Sequence, residues 1–479
     1  MLNVECSPRC QNGSILIIVM WVCLGLVAIA LYFANAMTYE LRASDNRVSG
    51  LAADQAIEGA ARYVGYILYN DATNGAVPDP AEFSCTDVPI GDAHFWLIGR
   101  DPARDSSTTA PTEPYFSLVD EGAKLNLNIA NTNVLSYLPN MTVDFASAIL
   151  DWRSTNSSGA YTLDYAPLGY EEKEAPFETD DELRLVYGAT VDLLAGDDLN
   201  RNGVLDANET DASGTGALNS GLFEYTTVWT REPNFHSDGT SLTNVNTATQ
   251  AQLQAFFEGE GIGNATVIST SLHTSISGSS GGTGGRGGGG GGGGGATTAS
   301  PCNNLLDFAL RCQTTGMSEA DFAKIYSDVT TSTNTYFYGR VNVNTASGDV
   351  LTALFMGLSD NISQEIASGA ADTLITYRAQ NPANLNSIWW LIDALGNNNQ
   401  IITTLKGSGD YVTTRSFQFT ADIAAVGPFG RGYRRVKFIF DTSEGTPVIV
   451  YRQDLSRLGW ALGDKVRQTL LANDNNTTP

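Results

Sequence analysis

The feature that most constrains this chain is an apolar run close to its N-terminus. After Asn12 and Gly13 the sequence continues as SILIIVMWVCLGLVAIALYFANA, and no charged residue occurs between Arg9 and Glu40. About twenty consecutive apolar residues are enough to cross the hydrocarbon core of a bilayer as an α-helix. The run therefore predicts a secretion signal, a membrane anchor, or an apolar helix that packs within an assembly.

These three alternatives differ in what should follow the run. A secretion signal is removed after a small-x-small site, for which Ala34–Ala36 is a candidate. A prepilin-type N-terminus instead has a short polar leader, a cut between Gly13 and Ser14, and an apolar helix that continues into an amphipathic one. Helical spacing does continue beyond the run, at Val48, Leu51, Ile57, Ala61, Val64 and Leu68. A discarded signal needs no such continuation, so the pattern favours the prepilin type over the signal, with a plain anchor and helical stalk as the remaining alternative.

Charge and composition exclude some functions. The chain has 479 residues, with 52 acidic and 27 basic side chains and a formal charge of -25. A protein that binds nucleic acid needs a basic footprint, which the chain as a whole lacks, so we expect no nucleic-acid partner. An acidic surface suits solubility outside the cytoplasm and the binding of divalent cations. The three histidines are scattered without zinc or triad spacing, and we identify no catalytic residue.

Strand signals lie near both ends of the chain. Residues 93–99 and 114–122 are apolar and aromatic runs joined by a polar loop, which is typical of a hairpin. Apolar residues alternate with polar ones over 417–423 and 436–440. This pattern predicts a small antiparallel sheet with one buried face. Because the strands flank residues 125–410, that region is predicted to be an insertion into an α+β domain.

The middle region contains an internal repeat. Asn, Asn, Ala and Leu recur at the offsets 0, 2, 4 and 9, starting at Asn126, Asn244 and Asn342. Asn and Thr before a helix cap its free amides, and the Ala and Leu lie on its buried side. The first and third copies continue into a second helix, ending at Arg153 and Arg378. We interpret the copies as helix–hairpin–helix units (SAM-like repeats). Such units often bind DNA, but no basic cluster lies beside these hairpins, which favours a packing or interaction module.

The strongest chemical motif is DLNRNGVLDANE, from Asp198 to Glu209. It matches the twelve-residue calcium loop, in which oxygen ligands occupy positions 1, 3, 5, 7, 9 and 12 and a glycine occupies position 6. The predicted Ca2+ ligands are the side chains of Asp198, Asn200, Asn202, Asp206 and Glu209 and the carbonyl of Val204. The alternative is a solvated acidic turn. The residues after Glu209 are typical of a loop, so we expect a lone structural site instead of a full EF-hand.

Two further features concern the second half of the chain. Cys302 and Cys312 could form a disulfide if the body is exported; the alternative is two half-buried thiols on a short helix. Residues 278–296 are almost entirely glycine and serine, which is typical of a flexible linker.

Together these features resemble general secretion pathway protein K, the minor pseudopilin of type II secretion systems. The matching stretches are the Gly13/Ser14 junction with its helix, Leu118–Asn128, Ala148–Arg153, Ala175–Gly188, Gly339–Ser347 and the terminal strands. The resemblance implies a pilin-like fold with a large helical insertion that binds calcium. It also implies a non-enzymatic subunit at the tip of a periplasmic pseudopilus, anchored by one helix in the inner membrane. The implied partners are other minor pseudopilins, inner-membrane secretion assembly proteins and prepilin peptidase.

One position bears on the place of such a subunit in the assembly. The fifth residue after the predicted cut is Ile18. Major pilins have an acid there, which the tip position would not require. The alternative function is a membrane-anchored protein that binds DNA or a surface ligand through the helical units.

The predicted organisation has nine parts. They are a leader (1–13), the membrane-spanning and amphipathic helix (14–70), the first pilin-like strands (71–125), the first helical unit (126–190), the calcium loop and connection (191–243), a second short repeat (244–277), the linker (278–300), the third helical unit (301–410), and the C-terminal strands and tail (411–479).

Overall fold

A single long helix dominates the N-terminal part of the computed structural model. The structure describes residues 12–72, 74–102, 111–155, 165–212, 214, 216–278 and 299–477, so the predicted leader up to residue 11 and most of the glycine-rich linker lie outside it. Helix α1 spans Asn12–Asp71. Residues 15–35 of this helix are exposed, and the helix is long and apolar enough to cross a membrane once.

The second half of α1 packs against a sheet. The apolar side chains of this half that belong to the core beneath the sheet are Ala53, Ala56, Ile57, Ala60, Ala61, Val64 and Leu68. Val48 and Leu51, which the sequence pattern assigned to the same apolar face, are 62% and 59% exposed instead. These two residues flank Ser49 and Gly50 in sequence, whose backbone is approached closely by Gly432. The contact of α1 with the sheet therefore begins at Ser49 and Gly50, and its buried apolar face begins at Ala53.

The first strands follow α1 directly. They are β1 (Val88–Ile90), β2 (Ala93–Ile98) and β3 (Val119–Asp120). The predicted hairpin between 93–99 and 114–122 is present only as a bridge between Ile98 and Phe116, and β3 pairs with a C-terminal strand. Strand β2 is buried on both faces, and it pairs along its edges with β1 and with that same C-terminal strand.

Three helical units form the insertion. Unit one contains β4 (Leu125–Asn126), α2 (Thr132–Ser136), α3 (Val143–Arg153), α4 (Val191–Ala195), α5 (Leu222–Tyr225) and β5 (Thr226–Thr227). After β6 (Arg231–Pro233), unit two contains β7 (Thr243–Asn244), α6 (Gln250–Gly259), α7 (Ala265–Ser277), α8 (Leu305–Thr314), α9 (Glu319–Ile325) and β8 (Val329–Thr330). After β9 (Tyr336–Tyr338), unit three contains β10 (Val341–Asn342), α10 (Gly348–Leu358), α11 (Gln364–Gln380), α12 (Trp390–Leu395), α13 (Gln400–Gly407) and β11 (Val412–Thr413).

Each unit is closed by the same short parallel pairing. The opening strand that carries the repeated Asn pairs with a Thr-containing strand at the end of the unit: β4 with β5, β7 with β8, and β10 with β11. In every unit the first Asn side chain accepts the backbone N–H two residues later, at 2.8 to 3.0 Å. The hydroxyls of Thr227, Thr330 and Thr413 each accept a backbone N–H at 3.2 Å. The sequence repeat is therefore also a structural repeat.

The pairing changes where unit two ends. The sequence predicts that residues 301–330 belong to the third unit, but β8 pairs with β7. The side chain of Asn246 also donates to the carbonyl of Cys302 and accepts its backbone N–H. These residues complete unit two, and unit three begins at Val341. The sequence does not predict this boundary, because the glycine-rich segment separates the two halves of unit two. The assignment of the helix pairs as helix–hairpin–helix motifs stays a prediction.

The C-terminal part completes the sheet. It consists of β12 (Gln418–Gly427), β13 (Arg431–Asp441), β14 (Val448–Asp454) and α14 (Gly463–Thr477). The order is β1-β2-β12-β13-β14, with all pairs antiparallel and β3 beside β12. One face packs on α1, and the other packs on residues 460–470. This confirms the expected α+β fold, with a long N-terminal helix on a small antiparallel sheet.

Candidate calcium loop and its attachment to the sheet

The loop Asp198–Glu209 begins three residues after α4 and turns around its first side chain. The carboxylate of Asp198 accepts the backbone N–H of Asn202 at 3.0 Å through Oδ1 and that of Gly203 at 2.7 Å through Oδ2. Gly203 has φ +84°, a left-handed conformation that favours glycine. The motif positions 1, 5 and 6 are therefore joined by the first ligand side chain.

The remaining predicted side chains meet in the same loop. Oδ1 of Asn200 accepts the N–H of Asn202, and Oδ1 of Asn202 accepts the N–H of Val204, both at 3.0 Å. The amide nitrogens of both Asn residues donate to Oδ2 of Asp206, at 2.5 and 3.0 Å. Glu209 accepts the N–H groups of Asn200 and Asp206 at 3.1 and 3.0 Å. The structure thus brings together all five predicted ligand side chains.

Burial gives these carboxylates an unfavourable environment. Asp198 is 5% exposed, and its burial raises the pKa of the carboxyl group despite the nearby Arg100 guanidinium. Burial also raises the pKa of Glu209, with a smaller contribution from Asp198 and Asp206. Three carboxylates in one partly buried loop repel each other, and a divalent cation would relieve both effects.

The donor set suits calcium, but the side chains are not in a ligating arrangement. Calcium takes six to eight hard oxygens, and the loop supplies carboxylate, amide and carbonyl oxygens. Within the described residues, no three His, Cys, Asp or Glu side chains are placed to hold a metal. At this loop the reason is visible, because Asp206 accepts two amide N–H groups. Ion binding would require the Asp206 carboxylate to exchange these bonds for the cation.

No helix follows the loop within the described residues between Glu209 and Leu222. The loop is instead held by the sheet. Arg435 of β13 donates to the carbonyl oxygens of Asn200 and Arg201, the second at 2.9 Å. Arg435 is fully buried and also forms an ion pair with Asp422 of β12. Two adjacent strands are therefore connected to the loop backbone through one side chain.

A second arginine, Arg100, supports the same loop from the segment that follows β2. Arg100 donates to Glu224 of α5 with its Nε, 2.7 and 2.9 Å from the two carboxylate oxygens. Its Nη2 lies 3.4 Å from the carbonyl oxygen of Arg201. Arg201 has φ +57°, and its guanidinium lies 3.8 Å over the ring of Phe223. The loop residue between two predicted ligands is thus fixed on both its main chain and its side chain.

The other predicted site residues lie elsewhere. Gly13 and Ser14 fall within the first turn of α1, and Ile18 is 61% exposed on its apolar half. Cys302 and Cys312 are both buried free thiols, so the candidate disulfide is not formed in the structure. Burial raises the pKa of Cys302 to about 12, which keeps this thiol protonated and unreactive at neutral pH.

Comparisons with known proteins find a remote likeness to a solved structure. No protein-family model matches the chain, and no curated protein matches it. Among solved structures, a chain of the GspK-GspI-GspJ complex from the enterotoxigenic Escherichia coli type 2 secretion system is similar over 47% of this chain and 78% of that one. The identity is 13% and the TM-score is 0.18. A likeness at this level supports no conclusion of its own about the present chain.

Proposed function

We propose that this protein is a structural minor pseudopilin of a type II secretion system, which supports export of other proteins across the outer membrane and is not itself an enzyme. The observation that carries the proposal is the two-part helix α1. One half is apolar and exposed, and the other half is buried on an antiparallel sheet whose strands flank a large helical insertion. A subunit with this architecture places one helix in the membrane and holds its body outside.

The length of α1 adds a second support. Its 60 residues span roughly 90 Å, whereas the bilayer core takes about 30 Å. Between the apolar run and the packed half, Met37, Tyr39 and Leu41 are more than 60% exposed. Apolar side chains on this stretch favour contact with the helices of neighbouring subunits. The proposed partners are other minor pseudopilins and inner-membrane assembly proteins, with the body in the periplasm.

The proposed place of the subunit is the tip. Cleavage by prepilin peptidase between Gly13 and Ser14 would make Ile18 the fifth residue. An unpaired carboxylate in hydrocarbon is costly, so an acid at that position is useful only where it meets the N-terminal amine of a neighbour. A subunit with no neighbour above it gains nothing from the acid. The bulk of the three helical units, which continue from Leu125 to Thr413, also favours an end position over the interior of a packed filament.

We further propose that the Asp198–Glu209 loop binds a structural Ca2+ ion. The support is the agreement of the motif with the gathered side chains, and the raised pKa of Asp198 and Glu209, which a cation would reverse. The alternative function, binding of DNA or a surface ligand by the helical units, has less support. The first Asn of each repeat is engaged within the protein, because its side-chain oxygen accepts the backbone N–H two residues later.

N-terminal sequencing of the protein purified from membranes tests the proposal most directly. A mature N-terminus at Ser14 supports a pseudopilin, Met37 would indicate a cleaved signal, and Met1 a simple anchor. Crosslinking from engineered sites on α1 should then find partners toward the membrane side only. Recovery of this protein at regular intervals along purified filaments would exclude the tip position. Salt-sensitive binding of DNA by the protein would favour the alternative function.

A further inference from the structure

The C-terminal segment touches the candidate calcium loop. The amide nitrogen of Asn200 donates to the backbone carbonyl of Trp460 at 3.1 Å, and that of Asn202 lies 3.3 Å from the carbonyl of Ala461. Both donors belong to predicted ligands, at loop positions 3 and 5. The two acceptors are adjacent residues that come from outside the helical units altogether. Asn200 is 4% exposed and Asn202 is 0% exposed, so water does not compete for these bonds.

These contacts fix the orientation of the two side-chain amides. An Asn amide carries its nitrogen and its oxygen on opposite sides, so a nitrogen that faces Trp460 or Ala461 leaves the oxygen facing the loop. Both Oδ1 atoms do accept N–H groups within the loop. Loss of a group that orients a metal ligand from the outer shell typically lowers metal affinity by about 10–100-fold. The Trp460 and Ala461 carbonyls occupy that place here.

The segment that carries the two carbonyls is part of the sheet's second core. Ala461 and Leu462 are fully buried against Trp96, Ile98 and Val426. The ring of Trp460 lies 5.0 Å from that of Tyr433, and its Nε1 donates to the carbonyl of Gly463 at 2.8 Å. Helix α14 starts at Gly463. A change in the position of residues 460–461 would therefore move the start of α14.

The loop backbone has a separate anchor that does not involve the ligand side chains. The guanidinium of Arg435 donates to the carbonyl groups of Asn200 and Arg201 and also to the carboxylate of Asp422. Loss of an ion would therefore leave the loop attached to β13. The bonds that depend on the ion are those of the amide groups, because without it both nitrogens are shared between Asp206 and the C-terminal carbonyls.

We propose that the backbone carbonyls of Trp460 and Ala461 are outer-shell groups of the calcium loop, so that Ca2+ binding and the docking of α14 on the sheet stabilise each other. The proposal rests on the calcium loop proposed above. When the carboxylate of Asp206 binds the cation, each Asn amide nitrogen donates only to its backbone carbonyl acceptor, that of Trp460 or Ala461. Each amide then holds the C-terminal segment more firmly. Coupling of this kind is reciprocal, so a detached α14 lowers the affinity for Ca2+ by the same factor.

Hydrogen exchange of the full chain in detergent tests the coupling, with CaCl2 or a chelator as the only difference. In the wild type, Ca2+ should slow exchange over residues 459–472 by about tenfold or more, which corresponds to a coupling of about 1.4 kcal/mol. The variants Asn200→Asp and Asn202→Asp retain a ligand oxygen but lose the donated N–H. They should bind Ca2+, measured by calorimetry, without protecting residues 459–472. Asn361→Asp, at an exposed site in unit three, adds the same charge away from the loop and serves as the control.

The outcomes separate the two proposals. If the wild type binds Ca2+ and exchange over residues 459–472 does not change, the coupling is wrong and the calcium loop stands. If both Asp variants protect α14 as well as the wild type does, the carbonyl groups are not outer-shell groups. If calorimetry detects no Ca2+ binding by the wild type, the proposed calcium site is wrong, and the proposed coupling is wrong as well.

Discussion

Arg435 and Asp422 form a buried ion pair in which Nε and Nη2 of the arginine lie 2.9 and 2.6 Å from the two carboxylate oxygens. The pair connects adjacent strands, and the same guanidinium reaches the carbonyl groups of the candidate calcium loop. Burial of an ion pair costs desolvation, which is offset only when the remaining donors are also bonded. Here the loop carbonyls supply those bonds.

Replacement of Arg435 by Met should therefore be severe. It leaves Asp422 buried without a cation and removes the link to the loop, with an expected loss of about 3–5 kcal/mol in the free energy of unfolding. Thermal melting of the detergent-solubilised protein measures the loss. The double variant Arg435→Met, Asp422→Asn should recover part of it, because no unpaired charge remains. A single variant that melts like the wild type would show that the pair does not hold the loop.

Calcium should raise the melting temperature of the full chain. An ion that binds only the folded state adds about 2.7 kcal/mol at a hundredfold excess over Kd. Asp198→Ala and Glu209→Ala remove the first and last ligands and should each abolish the increase. Glu365→Ala, which changes an exposed acid in unit three, remote in sequence from the loop, should leave it intact. A wild-type melting temperature that is the same in calcium and in chelator would refute the site.

The calcium effect should grow with pH. Burial raises the pKa of Asp198 and of Glu209, so the folded, ion-free protein binds protons more tightly at these groups than the unfolded chain does. Their contribution to the free energy of unfolding therefore falls as pH rises from the ordinary carboxyl range through the raised pKa values. Calcium requires the ionised groups and removes this penalty. The increase in melting temperature should thus be larger at about pH 7.5 than at about pH 4.5. An increase that is constant over this range would contradict the assignment.

The repeated Asn residues should not be equally important. Asn342 is fully buried and donates to Asp120 at 3.0 Å and to Ser416 at 2.8 Å, whereas Asn244 is half-buried and donates to a backbone carbonyl. Asn342→Ala leaves the buried Asp120 carboxylate with fewer donors and should cost about 1–3 kcal/mol. Asn244→Ala serves as its matched control, with a smaller expected loss. Chemical denaturation compares them, and equal losses would show that the bond to Asp120 adds nothing.

Patterns in the sequence predicted those features that depend on local residue choice. The α1 helix, the alternation in β12 and β13, the repeated Asn–x–Asn pattern and the gathering of side chains in the Asp198–Glu209 loop all follow from spacing. What could not be predicted depends on backbone groups or distant pairing. The carbonyls of Trp460 and Ala461 have no side-chain signature, and the closing partner of β7 lies beyond the glycine-rich segment. The sequence predicts that the segment containing β3 pairs with residues 93–99, because nothing local marks β12 as its partner.

The position of the insertion has a consequence for the order in which the molecule can form. Strands β2 and β12 are hydrogen-bonded neighbours, yet residues 99–417 lie between them. Contacts this far apart in sequence form slowly, because a long loop must close first. During synthesis, α1, β1 and β2 therefore lack their central strand, β12, until nearly the whole chain has been made. The early-formed apolar face of α1 needs protection throughout that interval, and the helical units, which close locally, are the parts able to fold first.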